Sequence, residues 1–276
     1  MTTTDERIAR SGVVPVRRRR ELPSALLGLI GLWLFAGVLE LLPRTGVVSE
    51  DYFPPFSSMV SALVDEAGTP EFWTAVGETV TGWGLGLAIA LVAGIAVGML
   101  LGSVEVLRRL TASTVEFLRP VPSVALIPLA VLVFGLGLQS TLLLVVYASF
   151  WQVLIQVVYG VQDVDPVARD TARSYQLGRW ARVRYLVWPT ALPYVMTGVR
   201  LAAAVALILA VTAELIIGSP GLGHSIAVAQ SSGAVPLVYA LVIVTGLLGV
   251  IVNLAARALE RATLSWHSSV RADIGG

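Results

Sequence analysis

The chain has 276 residues, of which 56% are hydrophobic and only 13% are charged, and its formal net charge is +1. A soluble domain of this length carries roughly 25% charged residues, so the composition argues against a soluble protein and favours one embedded in a lipid bilayer. Cysteine is absent, which excludes disulfides, thiolate metal sites and cysteine nucleophiles. The two histidines, His224 and His267, are far apart with no carboxylate pattern around them, so no metal site is predicted.

The first 21 residues form a polar tail that ends in four arginines, Arg17 to Arg20, directly before an apolar run. That run is too long for the core of a secretory signal and no small-residue cleavage site follows it, so it predicts an uncleaved first span. We interpret the basic cluster as orienting this span rather than binding nucleic acid. The predicted division is a cytoplasmic tail at 1–21, a transmembrane domain at 22–262 and a cytoplasmic tail at 263–276.

Six apolar stretches predict an all-α polytopic membrane protein with about six transmembrane helices. A spanning helix needs about 20 mainly apolar residues, and stretches near that length predict spans at about 22–42, 76–102, 121–137, 140–160, 194–217 and 236–257.

The distribution of arginine predicts the orientation of these spans. All nineteen basic residues are arginine, and a cytoplasmic N-terminus leaves Arg44 as the only one in an outer loop. The bias of basic residues toward cytoplasmic loops therefore favours two cytoplasmic termini. The outer loop 43–75 is acidic, and its segment 57–66 has the pattern of a short amphipathic helix.

Small residues recur at every fourth position along the second predicted span. Four-residue spacing keeps them on one face of a helix, where a second helix can approach closely. Contact of this face with a substrate is the less favoured alternative. The ladder consists of Gly82, Gly86, Ala90, Gly94, Gly98 and Gly102.

Three prolines, Pro120, Pro122 and Pro128, mark the start of the third predicted span. Proline interrupts backbone hydrogen bonding, and a broken helix is tolerated in a membrane where it is buried in protein or lines a cavity. Pro122, Ser123 and Pro128 are therefore candidates for the border of a translocation path, although Ser123 would equally serve to satisfy local backbone groups. The run from Phe134 to Gly137 predicts a tight turn into the fourth span.

The loop at about 161–193, between the fourth and fifth predicted spans, is long, charged and helical in pattern. Asp165 followed by Pro166 is typical of a helix start, with a capping side chain and then a ring fixed at a helical angle. The pattern predicts an amphipathic helix over 166–177 that Gly178 ends.

A second short helix is predicted over 180–188, closed by Pro189 and Pro193. Tyr175 and Trp180 would supply packing area for a partner protein. The alternative is that this segment is only a solvated loop. Five arginines would pair with acidic residues of that partner or with anionic lipid head groups: Arg169, Arg173, Arg179, Arg182 and Arg184.

Glu214 is the acid placed well inside an apolar span. An unpaired buried carboxylate is costly, and an ionisable residue in a membrane is a functional candidate. It would contact a partner subunit, form part of a gate near the outer end of a pore, or be held as a neutral acid. The structural alternative is a hydrogen bond to a neighbouring helix such as one bearing Thr212 or Thr245.

The order Asp165-Pro166, Asp170-Thr171-Ala172, Gly178, Leu186-Val187-Trp188-Pro189 and Leu192-Pro193 resembles the "EAA" coupling loop of binding-protein-dependent ABC importer permeases. Two further segments are similar to the nitrate, sulfonate and taurine branch of that family. They are residues 118–129, and Ala213-Glu214-Leu215 followed by Gly221-Leu222-Gly223. The resemblance covers roughly residues 52–262.

The resemblance implies a permease subunit with type I ABC importer architecture, in a bacterial plasma membrane. Such a subunit is not catalytic and forms the substrate path by alternating access with a second copy or a homologous permease. An extracytoplasmic binding protein would deliver a small anionic solute, such as a sulfonate, a nitrate-like compound or a carboxylate, to loops 43–75 and 218–235. Cytosolic ATPase subunits would bind ATP and Mg, so the permease would need no cofactor. The implied ATPase-coupling residues are Asp165, Arg169, Asp170, Thr171, Ala172, Arg173, Tyr175, Gln176, Gly178 and Trp180.

The coupling loop departs from the pattern of the family it resembles. That pattern has glutamate, two alanines and then a glycine four residues after the second alanine. This chain has Asp170, Thr171 and Ala172, then Gln176, and its glycine is Gly178. Threonine adds a methyl and a hydroxyl to a face that packs closely, so the contact geometry is expected to differ.

Two other classes of function are disfavoured by the sequence. An ion-gradient-driven secondary transporter, the main alternative, predicts inverted repeats and several acids inside the spans, whereas Glu214 stands nearly alone. A membrane enzyme needs a paired catalytic constellation inside the spans, and none is present. ATP hydrolysis by the chain itself is excluded because the sequence has no GxxxxGK[ST] loop and no lysine.

Overall fold

The computed structural model describes residues 24–265, and every regular element in that range is helical. The basic tail at 1–21, with Arg17 to Arg20, lies outside the described residues, as do His267 and the other residues after 265. The described helices are α1 (Ser24–Arg44), α2 (Phe56–Ala67), α3 (Pro70–Ser103), α4 (Glu105–Leu118), α5 (Ile127–Phe134), α6 (Leu138–Gln162), α7 (Pro166–Ser174), α8 (Arg179–Arg182), α9 (Trp188–Ile217), α10 (Leu222–Ser231) and α11 (Val235–Thr263).

Within residues 24–265, five helical segments are long and apolar enough to cross a membrane. They are α1, α3, α6, the continuous segment Arg179–Ile217 and α11. A sixth span exists if α4 and the segment Ser123–Phe134, which meet at an angle of 83°, count as one broken span. The prediction of an all-α protein with about six spans is confirmed.

The third predicted span, at 121–137, is wrong as a single straight helix. Its α-helical part, α5, has 8 residues and is about 12 Å long, far short of a hydrocarbon core of about 30 Å. A 3₁₀ turn, Ser123–Leu126, precedes it. Pro120 and Pro122 lie at the bend, where proline lacks the N–H that would continue the hydrogen bonding of α4. The predicted turn after Phe134 is present, and Gly135 and Gly137 adopt positive φ angles of 75° and 132° there.

The helix α6 lies at the centre of the bundle, between α3 and α9, and most of its buried face is apolar. Gly94 and Gly98 on α3 lie directly against Val153 and Val157 on α6, and a Cβ atom at Gly94 would stand 2.8 Å from the Cβ of Val153. Gly86 and Gly102 lie against Val145 and Val161 in the same way, whereas a Cβ at Gly82 would meet Leu138 at an ordinary 3.6 Å. The ladder therefore brings α3 and α6 into close backbone contact, except at Gly82.

The helix α1 lies outside this bundle, with nearly all of its large apolar side chains exposed. A cluster at its end joins it to α2: the Glu40 carboxylate accepts hydrogen bonds from the backbone N–H of Ser57 at 2.8 Å and from the Ser57 hydroxyl at 3.0 Å. Arg44 forms an ion pair with the same carboxylate at 2.5 Å. The amphipathic helix predicted at 57–66 forms as α2, and its Met59 is 2% exposed.

Candidate coupling segment and carboxylate clamp

The segment 165–188, here named the coupling segment, begins with the helix α7. The Asp165 side chain accepts a hydrogen bond from the backbone N–H of Val167 at 2.7 Å, and Pro166 occupies the first helical position. An aspartate cap satisfies a backbone donor that has no partner within the helix. The predicted start of this helix is therefore confirmed.

The end of α7 differs from the prediction, which placed it at Gly178. The helix ends at Ser174 and Gln176 adopts the left-handed conformation, with φ 54°. The Leu177 N–H donates to the Ala172 carbonyl at 3.0 Å and the Gln176 N–H to the Arg173 carbonyl at 2.8 Å. This pair of bonds is a Schellman motif, in which glycine usually occupies the left-handed position.

Gly178 has an ordinary φ of −59° and precedes α8 as its N-cap. The chain therefore uses glutamine at a position that requires a positive φ, which costs about 1–2 kcal/mol for a residue with a Cβ atom. The glycine that the resembled family has four residues after its second alanine would fall at Gln176, which is the left-handed position.

The predicted closure of the second helix by Pro189 and Pro193 is also wrong. A π-helical turn, Val183–Val187, joins α8 to α9, and both prolines lie within α9, Pro189 in its first turn. Proline has no N–H to donate, and Pro189 lies two residues after the π turn, where the backbone hydrogen bonding already departs from the α-helical pattern. The result is a helical rod of 39 residues, Arg179–Ile217, about 58 Å long at 1.5 Å per residue.

The coupling segment presents three large aromatic side chains to its surroundings: Tyr175 is 79% exposed, Trp180 is 75% exposed and Tyr185 is 70% exposed. Asp170 and Arg173 form an exposed ion pair at 3.1 Å. Ala172 is buried, and the exposed Thr171 donates its hydroxyl hydrogen bond to the Val167 carbonyl at 2.8 Å. The added hydroxyl is therefore hydrogen-bonded within α7, and it leaves the exposed face of this helix free for contact with another protein.

The proline-marked candidates for a translocation path lie on the bent segment before α6. Pro122 is exposed and caps the 3₁₀ turn, Ser123 is half-buried as its first residue, and Pro128 is exposed in the first turn of α5. Glu214 lies in a different element, near the end of α9. These residues therefore do not form one cluster with it.

Glu214 is 2% exposed and fully enclosed by protein. Its Oε2 accepts hydrogen bonds from the Thr79 hydroxyl at 2.8 Å and from the backbone N–H of Gly223 at 3.0 Å. The Thr79 oxygen in turn accepts the N–H of Leu222 at 2.8 Å. We name these four residues the carboxylate clamp, because they join α3, the end of α9 and the start of α10.

Two glycines leave room for the clamp. Gly221 has a φ of 148°, and a Cβ atom there would overlap the Glu214 carboxyl group. A Cβ at Gly223 would overlap the carbonyl oxygen of Val211. Both positions therefore require glycine for close approach of the backbone.

Glu214 therefore hydrogen-bonds to a neighbouring helix, which was the structural alternative for this residue, but its partners are not Thr212 or Thr245. Thr212 and Thr245 donate instead to backbone carbonyls of their own helices, those of Ile208 and Val242. Thr79 was missed because it is 135 residues away in sequence. Its position seven residues before Gly86, on the same face of α3 as the ladder, was the available signal.

A groove between α9 and α11 contains a cavity of about 510 Å³. Its wall is mainly apolar, and its polar side chains are Arg200, Thr212, Thr245 and Asn253. Arg200 forms a half-exposed ion pair with Glu260 at 3.6 Å.

Residues 90–265 match the family model described as "Binding-protein-dependent transport system inner membrane component". The taurine transport system permease protein of Escherichia coli (strain K12) is 31% identical over 248 residues, which cover 88% of each chain. A putative aliphatic sulfonates transport permease protein of Bacillus subtilis (strain 168) is 27% identical over 241 residues, 87% of this chain and 85% of the relative.

Among solved structures, a bacterial ABC transporter involved in the import of the acidic polysaccharide alginate matches with a TM-score of 0.63 at 14% identity, covering 87% of this chain and 93% of the other. This likeness concerns the fold, which is that of type I ABC importer permeases. The chain belongs to the family of binding-protein-dependent transport system inner membrane components, as an ABC transporter permease of the nitrate, sulfonate and taurine branch.

Proposed function

We propose that this permease pairs with a second copy or a homologous permease and couples ATP hydrolysis by separate cytosolic subunits to substrate import by alternating access. The observation that carries the proposal is the continuity between the coupling segment and a spanning helix. Tyr175 and Trp180 are exposed at one end, and the rod Arg179–Ile217 continues from there through the membrane region.

The rod gives the coupling segment a mechanical role. A helix transmits displacement along its axis because each turn is fixed by backbone hydrogen bonds. Force applied at α8 would therefore reach Glu214, whose carboxylate holds the start of α10 through Gly223. An ATPase that moves the coupling segment would shift α10 and α3 together, and this shift would open or close the path at its outer end.

The orientation follows from the arginine distribution. The coupling segment contains Arg169, Arg173, Arg179, Arg182 and Arg184, and loops rich in arginine remain in the cytoplasm. Both termini are then cytoplasmic in a bacterial plasma membrane, and α2 and α10 lie toward the extracytoplasmic binding protein.

The transported solute is a small anion, such as a sulfonate, a nitrate-like compound or a carboxylate. Two relatives are named for taurine and aliphatic sulfonates. Arg200 lines the groove between α9 and α11 and is the cation among its lining residues; it would bind an anion there only when its ion pair with Glu260 opens. Specificity among anions would come mainly from the binding protein.

The direct test is uptake by proteoliposomes that contain the chain and the subunits that co-purify with it. We expect uptake that requires ATP and is insensitive to collapse of ion gradients. Asp170→Arg should lower both uptake and ATP hydrolysis without loss of inserted protein, because it places a cation at the proposed contact with the ATPase. The control is Glu105→Arg, which breaks a similar exposed ion pair, with Arg109, in α4. Uptake driven by an ion gradient without ATP, or full activity of Asp170→Arg, would contradict the proposal.

A further inference from the structure

A second cavity, of about 500 Å³, lies between the coupling segment and the ends of two spanning helices. Four guanidinium groups line it, and no Asp or Glu is among its described lining residues. We name it the arginine cavity. Its arginines are Arg169, Arg173, Arg179 and Arg182.

The charges in this cavity are poorly balanced. Arg173 pairs with Asp170, and Arg182 holds a buried Nε atom that has no hydrogen-bond partner among the described residues. Arg169, Arg173 and Arg179 are exposed, so solvent screens much of the repulsion among the four charges. A buried N–H without an acceptor is costly. The unsatisfied Nε–H and the excess of positive charge together favour an anion with several acceptor oxygens at this site.

The rest of the lining is aliphatic except for Gly102 and Ser103. Val104 follows the end of α3, Val161 lies in the last turn of α6, and Leu186 lies in the π turn before α9. The cavity therefore adjoins the ends of two spanning helices, and its lining combines arginines with aliphatic side chains. This arrangement matches a phospholipid, whose phosphate is joined to acyl chains.

We propose that the arginine cavity binds the phosphate group of an anionic phospholipid from the adjoining leaflet. Guanidinium groups bind phosphate oxygens in pairs of parallel hydrogen bonds, and the Nε–H of Arg182 becomes one of the donors. Tyr175 and Trp180 are not among the lining residues, so the lipid would occupy the inner side of the segment and leave its aromatic surface open to a protein. The lipid would stiffen the joint between α7 and the rod. This inference is independent of the transported substrate.

The test is native mass spectrometry of the full chain, purified in mild detergent and titrated with phosphatidylglycerol or, as a zwitterionic reference, phosphatidylcholine. We expect preferential retention of phosphatidylglycerol. The double change Arg169→Gln and Arg182→Gln should reduce that retention about thirtyfold, at about 1 kcal/mol for each basic residue. The matched control is Arg184→Gln, an exposed arginine of the same segment outside the cavity, which should leave retention unchanged.

Phosphatidylcholine retention reports whether each variant keeps an intact membrane surface, so a misfolded variant is recognised by loss of both lipids. If the double variant misfolds, Arg179→Gln alone, at an exposed position, serves as the milder variant. Equal retention of phosphatidylglycerol by the wild type and the cavity variants would overturn the proposal. Displacement of phosphatidylglycerol by millimolar inorganic phosphate alone would overturn the lipid assignment in favour of a free-anion site. Unchanged lipid retention with loss of a co-purifying ATPase would assign the arginines to that protein.

Discussion

Replacement of Glu214 by leucine should destabilise the protein through the loss of one buried acceptor. Oε2 accepts from the Thr79 hydroxyl at 2.8 Å and from the Gly223 N–H at 3.0 Å. Each donor left unsatisfied in a buried site costs about 1–3 kcal/mol, so the change should lower the free energy of unfolding by about 2–6 kcal/mol. Glu214→Gln keeps an oxygen in that position and should cost no more than about 1 kcal/mol.

The measurement is unfolding of the purified protein by a denaturing detergent, followed by tryptophan fluorescence, with amide hydrogen exchange to locate the effect. Exchange should accelerate at the start of α10, around Leu222 and Gly223, before it does so elsewhere. Glu116→Gln, an exposed change on α4, is the control and should be neutral. Leucine as stable as glutamate would refute the clamp, and glutamine as damaging as leucine would show that charge, rather than an acceptor oxygen, is what Glu214 supplies.

Two further predictions concern glycine positions. Gln176→Gly should relieve about 1 kcal/mol of left-handed strain at the end of α7 and slow amide exchange in that helix about fivefold. The control is Tyr175→Gly, at a residue with an ordinary φ of −77°, which should accelerate amide exchange. Faster exchange in Gln176→Gly would contradict the assigned motif. Gly94→Val should separate α3 from α6, because even a Cβ atom there would stand 2.8 Å from the Cβ of Val153. This substitution should abolish or strongly reduce the yield of monodisperse protein. Gly84→Val, where nothing lies within 4 Å of the added Cβ, is the control, and an equal loss of yield there would argue against close helix packing as the cause.

The features that sequence predicted well are those that depend on local periodicity. The amphipathic pattern at 57–66 and the Asp165-Pro166 start require only neighbouring residues, and α2 and α7 begin within one residue of the expected positions. The four-residue ladder on α3 likewise depends on helix geometry alone.

The features that sequence did not predict depend on long-range contacts or on proline context. The hydropathy of residues 121–137 predicts a full span, but the chain bends before Ser123 and continues as a short helix. Pro189 and Pro193 were expected to stop a helix, but the helix continues through a π turn and past both prolines. The partner of Glu214 is on α3, and the backbone donor Gly223 depends on the turn between α9 and α10.

Site-specific cross-linking from the coupling segment tests the central claim most directly. Because the chain has no cysteine, Trp180→Cys provides a single thiol at an exposed position of the segment, and Tyr52→Cys provides one at a position 79% exposed in the loop before α2. We expect a short bifunctional reagent to join position 180, but not position 52, to an ATPase subunit in membranes of the native cell. Labelling of position 180 by a membrane-impermeant reagent added outside intact cells, with no ATPase cross-link, would contradict it.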